Sequence, residues 1–131
     1  MSESMKVLLV DDEDDFRELL GKRLVKRGLE VSTAGSGEAG LAQAQGGGFD
    51  VVVLDVKMPG MDGLEVLRRL RKIAPDTEVI LLTGHANMEV AVEGMDLGAF
   101  DYLMKPVAIN ELLYKIQDAT ARRRLRQGRP A

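Results

Sequence analysis

The sequence predicts an α/β domain, a doubly wound sheet of five parallel strands with helices on both faces. The first observation behind this prediction is a set of three short apolar runs, each followed by charged residues: Val7–Val10 before Asp11 and Asp12, Val51–Leu54 before Asp55, and Tyr102–Met104 before Lys105. Such runs, separated by helix-like stretches, are typical of strands buried on both faces of a parallel sheet. The second observation is that the chain divides into five strand–helix pairs, and right-handed parallel crossovers then place helices on both faces.

The first half of the chain holds three of the predicted strands. After the first strand, a helix is predicted over Asp12–Gly28, because Gly28 suits a helix C-terminus and one face carries Phe16, Leu19, Leu20 and Leu24. A second strand over Leu29–Ala34 leads to a helix that begins at Ser36 or Gly37 and ends at the glycines 46–48. The central strand is predicted over Phe49–Asp55.

In the second half, Asp62 is a good N-cap for a third helix that ends at Pro75. Its inward face is expected to carry Leu64, Leu67, Leu70 and Ile73. The remaining predicted elements are a strand over Glu78–Leu82, a helix over Ala86–Leu97 stopped by Gly98, a strand over Phe100–Met104, and a helix from Ala108 to about Arg124.

Composition limits the classes of protein that the chain can belong to. With 131 residues, 45% hydrophobic and 30% charged, it is long enough for one domain with a proper core. It has no cysteine, which excludes disulfides, a thiolate nucleophile and a cysteine-based zinc site. No apolar stretch approaches the roughly 20 residues that span a bilayer, and the polar first six residues do not resemble a signal peptide. We therefore expect a cytoplasmic protein that does not contact membranes.

Charge is distributed unevenly along the chain. Residues 122–131 contain five arginines and no acid; subtracting their +5 from the net charge of −3 leaves −8 on residues 1–121. So acidic a body binds nucleic acid poorly, and direct nucleic-acid binding is not expected. We predict a folded domain over 1–121 and a basic C-terminal tail or linker start over 122–131. A solvated, frayed helix end is favoured for this tail over a contact with an acidic partner or nucleic acid.

The carboxyl ends of parallel strands meet at one edge of a sheet, so Asp11, Asp12, Asp55 and Lys105 should lie together. Three carboxylates at one place repel each other and need a cation or protons. Mg²⁺ fits, because it prefers oxygen ligands and uses few carboxylates. Simpler interpretations stay open for single residues: the adjacent acids could cap the first helix, and Lys105 could form a plain salt bridge to Asp55.

Two further features belong to the same edge. Thr83 would bring a hydroxyl donor from the end of the fourth strand, although threonine is common in strands. The Lys105–Pro106 step is a candidate cis peptide bond, since cis bonds are almost confined to proline. Such a bond would direct the lysine back over the strand ends.

Four segments in this order, Val7–Asp12, Asp55–Gly63, Thr83–Gly84 and Tyr102–Pro106, resemble a response-regulator receiver domain, the phosphoacceptor module of bacterial two-component signalling. The resemblance covers essentially residues 5–121. It implies a flavodoxin-like fold with strand order 2-1-3-4-5. It also implies a signalling protein that catalyses its own phosphorylation and slow dephosphorylation and is not a turnover enzyme.

The resemblance implies roles for individual residues at the acidic edge. Asp55 resembles the phosphoacceptor nucleophile. Asp12 and Asp55 resemble the carboxylate ligands of Mg²⁺, with Asp11 acting mainly through a metal-bound water and the Lys57 backbone carbonyl completing the protein ligands. Lys105 would hold one phosphoryl oxygen.

Thr83 would hold another phosphoryl oxygen, and with Tyr102 it resembles the family's switch pair, although Tyr102 can equally be read as a half-buried strand tyrosine. The surface of residues 86–116, which comprises the fourth helix, the fifth strand and the start of the last helix, is then the expected output face. Expected partners are a sensor histidine kinase or phosphotransfer protein, a downstream effector and, as a further option, a second copy of the chain. His85 is expected at the mouth of the site, where it would modulate attack by water on the phosphoryl group.

The sequence also bears on three alternative functions. A Mg²⁺-dependent phosphatase with an aspartyl nucleophile also uses Asp, Mg²⁺ and Lys, but the haloacid-dehalogenase pattern requires an Asp at the position of Lys57. A flavodoxin-like cofactor carrier needs a Ser/Thr/Gly-rich phosphate loop, whereas Asp11–Asp15 is entirely acidic. A third alternative, a degenerate receiver that acts only as a protein-binding module, stays open.

The sequence also leaves open whether the domain stands alone or belongs to a longer protein. In a stand-alone regulator the chain leaves no room for an output domain, whereas the other interpretation is a receiver excised from a longer regulator.

Overall fold

The structure is a computed structural model and describes residues 4–129. Within them, strands and helices alternate as β1 (Lys6–Val10), α1 (Asp14–Lys26), β2 (Glu30–Ala34), α2 (Gly37–Gly47), β3 (Val51–Asp55), α3 (Gly63–Ile73), β4 (Glu78–Thr83), α4 (Met88–Asp96), β5 (Asp101–Met104) and α5 (Ile109–Arg126). All neighbouring strands pair in parallel, in the order β2-β1-β3-β4-β5. The predicted fold class and strand order are confirmed.

Two apolar clusters cover the two faces of the sheet, because successive strand residues point to opposite sides. Leu8 and Val10 of β1 join the cluster that α2, α3 and α4 cover, whereas Val7 and Leu9 join the cluster under α1 and α5. β3 and β4 alternate in the same way and are buried along their whole length. This two-sided burial explains why these strands are continuous apolar runs in the sequence.

The strand order also decides where a ligand can bind. From β1 the chain turns to β2 on one side, whereas β3, β4 and β5 follow one another on the other side. The loops that leave the carboxyl ends of β1 and β3 therefore diverge and open a crevice between them. The residues that follow these two strands line that crevice.

Several predicted boundaries differ from the structure by a few residues. α1 begins at Asp14, so Asp11 and Asp12 lie in the preceding loop and not in the helix. Residues 85–87 form a 3₁₀ turn before α4, which begins at Met88. Two residues predicted to face inward are exposed, Leu19 at 54% and Ile73 at 40%, because the buried stripe of each helix is narrower than the apolar pattern.

The basic segment differs most from its prediction, because the chain from 122 to 126 is part of α5 and not a frayed end. Arg123 and Arg124 are buried. Both pair with Asp50, which lies just before β3, at 2.9 and 3.3 Å, and Arg122 and Arg126 pair with the buried Glu78 at the start of β4. The predicted boundary at residue 121 thus falls inside a continuous helix. No helix within residues 4–129 is both long and apolar enough to cross a bilayer.

Candidate functional site

Asp11 is held in place by the loop between β1 and α1. Its side chain is fully buried, and its Oδ1 accepts a hydrogen bond from the Glu13 backbone N–H at 2.9 Å. Its own N–H donates to the Ala34 carbonyl at 3.1 Å, and its carbonyl accepts from Arg17 Nη1 at 2.7 Å. Arg17 also binds Asp14 at 2.8 Å, so one guanidinium joins the loop to the first turn of α1. The carboxylate of Asp11 therefore has little freedom to turn away.

Asp55 ends β3 and is buried, with 6% of its surface exposed. Its Oδ1 accepts from the Lys57 backbone N–H at 3.2 Å. The loop that follows is pressed against the N-terminus of α3, since a Cβ on Gly63 would lie 2.7 Å from the Asp55 carbonyl oxygen and 2.6 Å from Val56 Cα. Asp62 caps α3 by accepting from the Glu65 N–H at 3.0 Å, as predicted. Close backbone packing thus determines where the Asp55 carboxylate points.

The three carboxylates predicted at this edge lie together. One oxygen from each of Asp11, Asp12 and Asp55 lies within 4.8 Å of the others, a group that could hold a metal ion. Asp12 is half-buried and borders the crevice. The donor set consists of oxygen atoms alone, which suits a hard cation such as Mg²⁺ better than a soft metal.

Lys105 brings the positive charge to this cluster from the end of β5. Its ammonium lies 3.0 Å from Asp11 Oδ2, 3.3 Å from Glu13 Oε1 and 3.6 Å from Asp55 Oδ2. The salt bridge to Asp55 is therefore present, but the nearest carboxylate is that of Asp11. The Lys105 N–H donates to the Thr83 carbonyl at 2.8 Å, and the Lys105–Pro106 peptide bond is cis.

Burial and charge act together on these groups. Burial, reinforced by the charge of Asp11, raises the pKa of Asp55 to about 6, although Lys105 and the Lys57 N–H oppose the change. Burial alone would lower the pKa of Lys105. Its hydrogen bond to Asp11 and the charge of Asp55 outweigh that effect, so the pKa lies above its ordinary value. At neutral pH the site therefore holds a protonated lysine against carboxylates that repel one another.

The crevice is a cleft of about 550 Å³ lined by Asp12, Glu13, Asp55, Lys57, Met58, Pro59, Gly84, Asn87 and Lys105. Thr83 is fully buried, and its hydroxyl donates to the Gly84 carbonyl at 3.1 Å. Tyr102 is partly buried against the cluster under α2, α3 and α4, and His85 is exposed.

Sequence reasoning missed two groups at the site. Glu13 contacts Lys105 and lines the cleft, and the Phe16 ring centroid lies 4.3 Å from the Lys105 ammonium. In the sequence, Glu13 is one of five consecutive acids, Asp11–Asp15, and Phe16 belongs to the apolar face of the first helix. No signal in the local pattern separated Glu13 from Asp14 and Asp15.

Comparisons with known proteins agree with this geometry. The family model described as the response regulator receiver domain matches residues 7–117. The receiver domain protein from Clostridium thermocellum has a TM-score of 0.88 and 39% sequence identity, over 92% of this chain and 98% of that one. A CheY-like receiver domain protein from Methanospirillum hungatei JF-1 has a TM-score of 0.86 and 32% identity, over 92% of this chain and 97% of that one.

Among curated proteins, the transcriptional regulatory protein YkoG of Bacillus subtilis (strain 168), described as uncharacterised, is 45% identical over 113 residues. That match spans 86% of this chain and 50% of YkoG. DctD of Rhizobium meliloti (strain 1021), a C4-dicarboxylate transport transcriptional regulatory protein, is 36% identical over 95% of this chain and 27% of its own length. This chain thus spans between a quarter and a half of these two relatives. It belongs to the response-regulator receiver domain family, whose members are signalling modules of two-component systems and not turnover enzymes.

Proposed function

We propose that this chain accepts a phosphoryl group on Asp55 from a phosphohistidine of a sensor histidine kinase or phosphotransfer protein. The observation that carries the proposal is the convergence of three carboxylates, with oxygens within 4.8 Å of one another, and the Lys105 ammonium 3.6 Å from Asp55. Asp55 lines an open cleft of about 550 Å³, so its carboxylate is accessible from outside despite its burial. Family membership supports the same chemistry.

In the proposed reaction an Asp55 carboxylate oxygen attacks phosphorus in line. The bond from phosphorus to the imidazole nitrogen breaks as the oxygen–phosphorus bond forms, its electron pair stays on the nitrogen, and the product is an acyl phosphate. Lys105 would hold one oxygen of the transferring group and offset its charge. The Lys57 N–H, 3.2 Å from Asp55 Oδ1, restricts how the nucleophile can rotate.

We propose Mg²⁺ as the cofactor, held by Asp11, Asp12 and Asp55 with the Lys57 backbone carbonyl. The all-oxygen donor set and the excess of negative charge support this choice over a softer metal. When bound, Mg²⁺ supplies positive charge that offsets repulsion between the carboxylates and the phosphoryl oxygens.

For signal output we propose that Thr83 and Tyr102 form the switch. The Thr83 hydroxyl now donates to Gly84, so it would have to turn to reach a phosphoryl oxygen. Such a turn would change the packing between β4 and β5, where Leu81 pairs with Tyr102 and Thr83 with Met104. Only contacts that differ between the two states can shift the equilibrium.

The surface of α4, β5 and α5 is the proposed contact for a downstream effector or a second copy of the chain. Exposed apolar side chains there, Val92, Met95 and Tyr114, support this assignment. The kinase or phosphotransfer partner and the cytoplasmic location are proposed from family membership. A longer protein that carries this domain, as in relatives such as YkoG and DctD, is one setting for this output; a stand-alone regulator is the other.

The proposal is tested by intact mass measured after incubation with a small acyl phosphate and Mg²⁺. We expect one phosphoryl adduct on the unaltered chain, none on Asp55→Ala, and none when EDTA is present. A folded protein that binds Mg²⁺ yet forms no adduct would indicate a degenerate receiver that acts by contact alone. Absence of both the adduct and Mg²⁺ binding would refute the assignment of the site.

A further inference from the structure

The Lys105 ammonium is held mainly by the segment that follows β1. Asp11 Oδ2 lies 3.0 Å away and Glu13 Oε1 3.3 Å away, both nearer than Asp55 Oδ2 at 3.6 Å. The Phe16 ring, also from this segment, lies 4.3 Å from the ammonium, within the range of a cation–π contact. In this state the lysine is therefore drawn towards residues 11–16 rather than towards the proposed phosphoacceptor.

Two carboxylates of this segment contact Lys105, those of Asp11 and Glu13, and Glu13 is the one that is not a proposed metal ligand. The carboxylates that could hold a metal are those of Asp11, Asp12 and Asp55. The backbone N–H of Glu13 fastens it to Asp11 Oδ1 at 2.9 Å, which directs the residue towards the cleft. Its side chain is 66% exposed and lines the cleft beside Asp55 and Lys105. The Glu13 carboxylate therefore borders the cleft that a phosphodonor would enter.

We propose that Glu13 is a positioning residue that restrains Lys105 before phosphoryl transfer. Lys105 can contact a phosphoryl oxygen on Asp55 only by weakening its contact with Glu13, so the Glu13 carboxylate competes with the phosphoryl group for the ammonium. Glu13 thereby slows phosphorylation. This inference rests on the proposed function, because it assumes that Asp55 is the acceptor and Lys105 a contact of the phosphoryl group.

The test compares Glu13→Gln with Asp15→Asn. Each variant removes one negative charge from the same acidic run, but Asp15 is exposed and forms no part of the cleft lining. Both substitutions keep the shape of the side chain. The rate of adduct formation is measured by intact mass over a range of small acyl phosphate concentrations, with saturating Mg²⁺.

An exposed ion pair is weak, so we expect Glu13→Gln to react about threefold faster at saturating donor, with Asp15→Asn close to the unaltered chain. Equal acceleration of the two variants would show a general charge effect and overturn the inference. An unchanged or slower rate for Glu13→Gln, with the thermal unfolding midpoint of the variant unaltered, would also overturn the inference.

A second comparison separates positioning from repulsion of the donor. In a Lys105→Ala chain, which is expected to react more slowly, Glu13→Gln should give no further acceleration, because the residue acts through the lysine. The same threefold gain without Lys105 would overturn the inference. Failure of the proposed function has a different signature, since the unaltered chain would then form no Asp55-dependent adduct, and both proposals would be overturned together.

Discussion

At the residue scale, the site brings buried carboxylates close together, which is unfavourable for a folded protein because like charges repel one another. Asp55 is buried beside Asp11 and within reach of Asp12, and one lysine offsets only part of their repulsion. Burial and the charge of Asp11 raise the pKa of Asp55 to about 6, because both disfavour its ionised form in the folded chain. The same arrangement attracts a divalent cation, so the stability lost by the metal-free domain and the ability to bind metal have one physical origin.

This arrangement predicts that Asp55→Asn stabilises the metal-free domain at neutral pH. As pH rises from 3.8 towards 6, the unfolded chain ionises Asp55 before the folded chain does, so the folded state loses stability over that interval. Above it the loss amounts to at most about 3 kcal/mol, which Asn avoids. Urea unfolding in EDTA should show the stabilisation at pH 7.5.

The pH dependence supplies the internal control for this prediction. At about pH 2.5, more than one unit below both pKa values, Asp55 is protonated in both states, and the two proteins should unfold at similar urea concentrations. A stabilisation of equal size at both pH values would indicate that the substitution acts through packing and not through charge.

At the element scale, the loops after β1 and β3 place the chemistry, and the helices that follow them hold those loops. Arg17 of α1 binds the Asp11 carbonyl, and the N-terminus of α3 packs directly on the backbone of Asp55 and Val56. The second contact leaves room for a hydrogen and nothing larger at Gly63. The site is therefore sensitive to residues that carry no chemistry of their own.

Gly63→Ala tests this dependence. The added Cβ would lie 2.6 Å from Val56 Cα, and backbone cannot yield as a flexible side chain can. We expect a loss of about 2 kcal/mol in the free energy of unfolding and weaker Mg²⁺ binding, because the loop that carries Asp55 must shift. Urea unfolding and Mg²⁺ titration measure the two effects.

Gly46→Ala in α2 is the matched control. An added Cβ there meets no atom within 4 Å, so the substitution should be neutral or slightly stabilising and should leave Mg²⁺ binding unchanged. If the two variants behaved alike, close packing at Gly63 would not be what positions Asp55.

At the scale of the whole molecule, one end of the sheet carries the proposed site and the other end is held by ion pairs. The carboxyl ends of the strands form the site, whereas the amino ends are tied to α5 by buried ion pairs. Asp50 accepts hydrogen bonds from the Lys6 N–H at 3.0 Å, from Arg123 at 2.9 Å and from Arg124 at 3.3 Å. One carboxylate thus joins β1, β3 and α5 far from the proposed chemistry.

Asp50→Ala is expected to destabilise the fold by about 3–5 kcal/mol, because it leaves buried arginine charge without this partner. Asp118→Ala, on the exposed face of α5, should change the free energy of unfolding by less than about 0.5 kcal/mol. Chemical denaturation measures both. Near-equal values for the two variants would mean that the arginines find other partners and that the buried pairs add little.

The sequence by itself determined the order of the elements, the parallel sheet and the edge where Asp11, Asp12, Asp55 and Lys105 meet. These follow from local patterns, since apolar runs mark buried strands, glycines and caps mark helix ends, and parallel strands share one carboxyl edge. The motifs at that edge then carried the family resemblance. Strand boundaries agreed with the structure to within one or two residues for the same reason.

Tertiary structure alone decided which charges meet. That Lys105 lies closest to Asp11 and contacts Glu13 depends on side-chain directions across elements about 90 residues apart in the chain. The burial of Arg123 and Arg124 depends on Asp50, which is more than 70 residues away and lies opposite the last turns of α5 only once the sheet has formed. Local periodicity describes one element at a time, whereas an ion pair across the core depends on how several elements pack, so the sequence pattern favoured a solvated end where the folded chain buries two arginines.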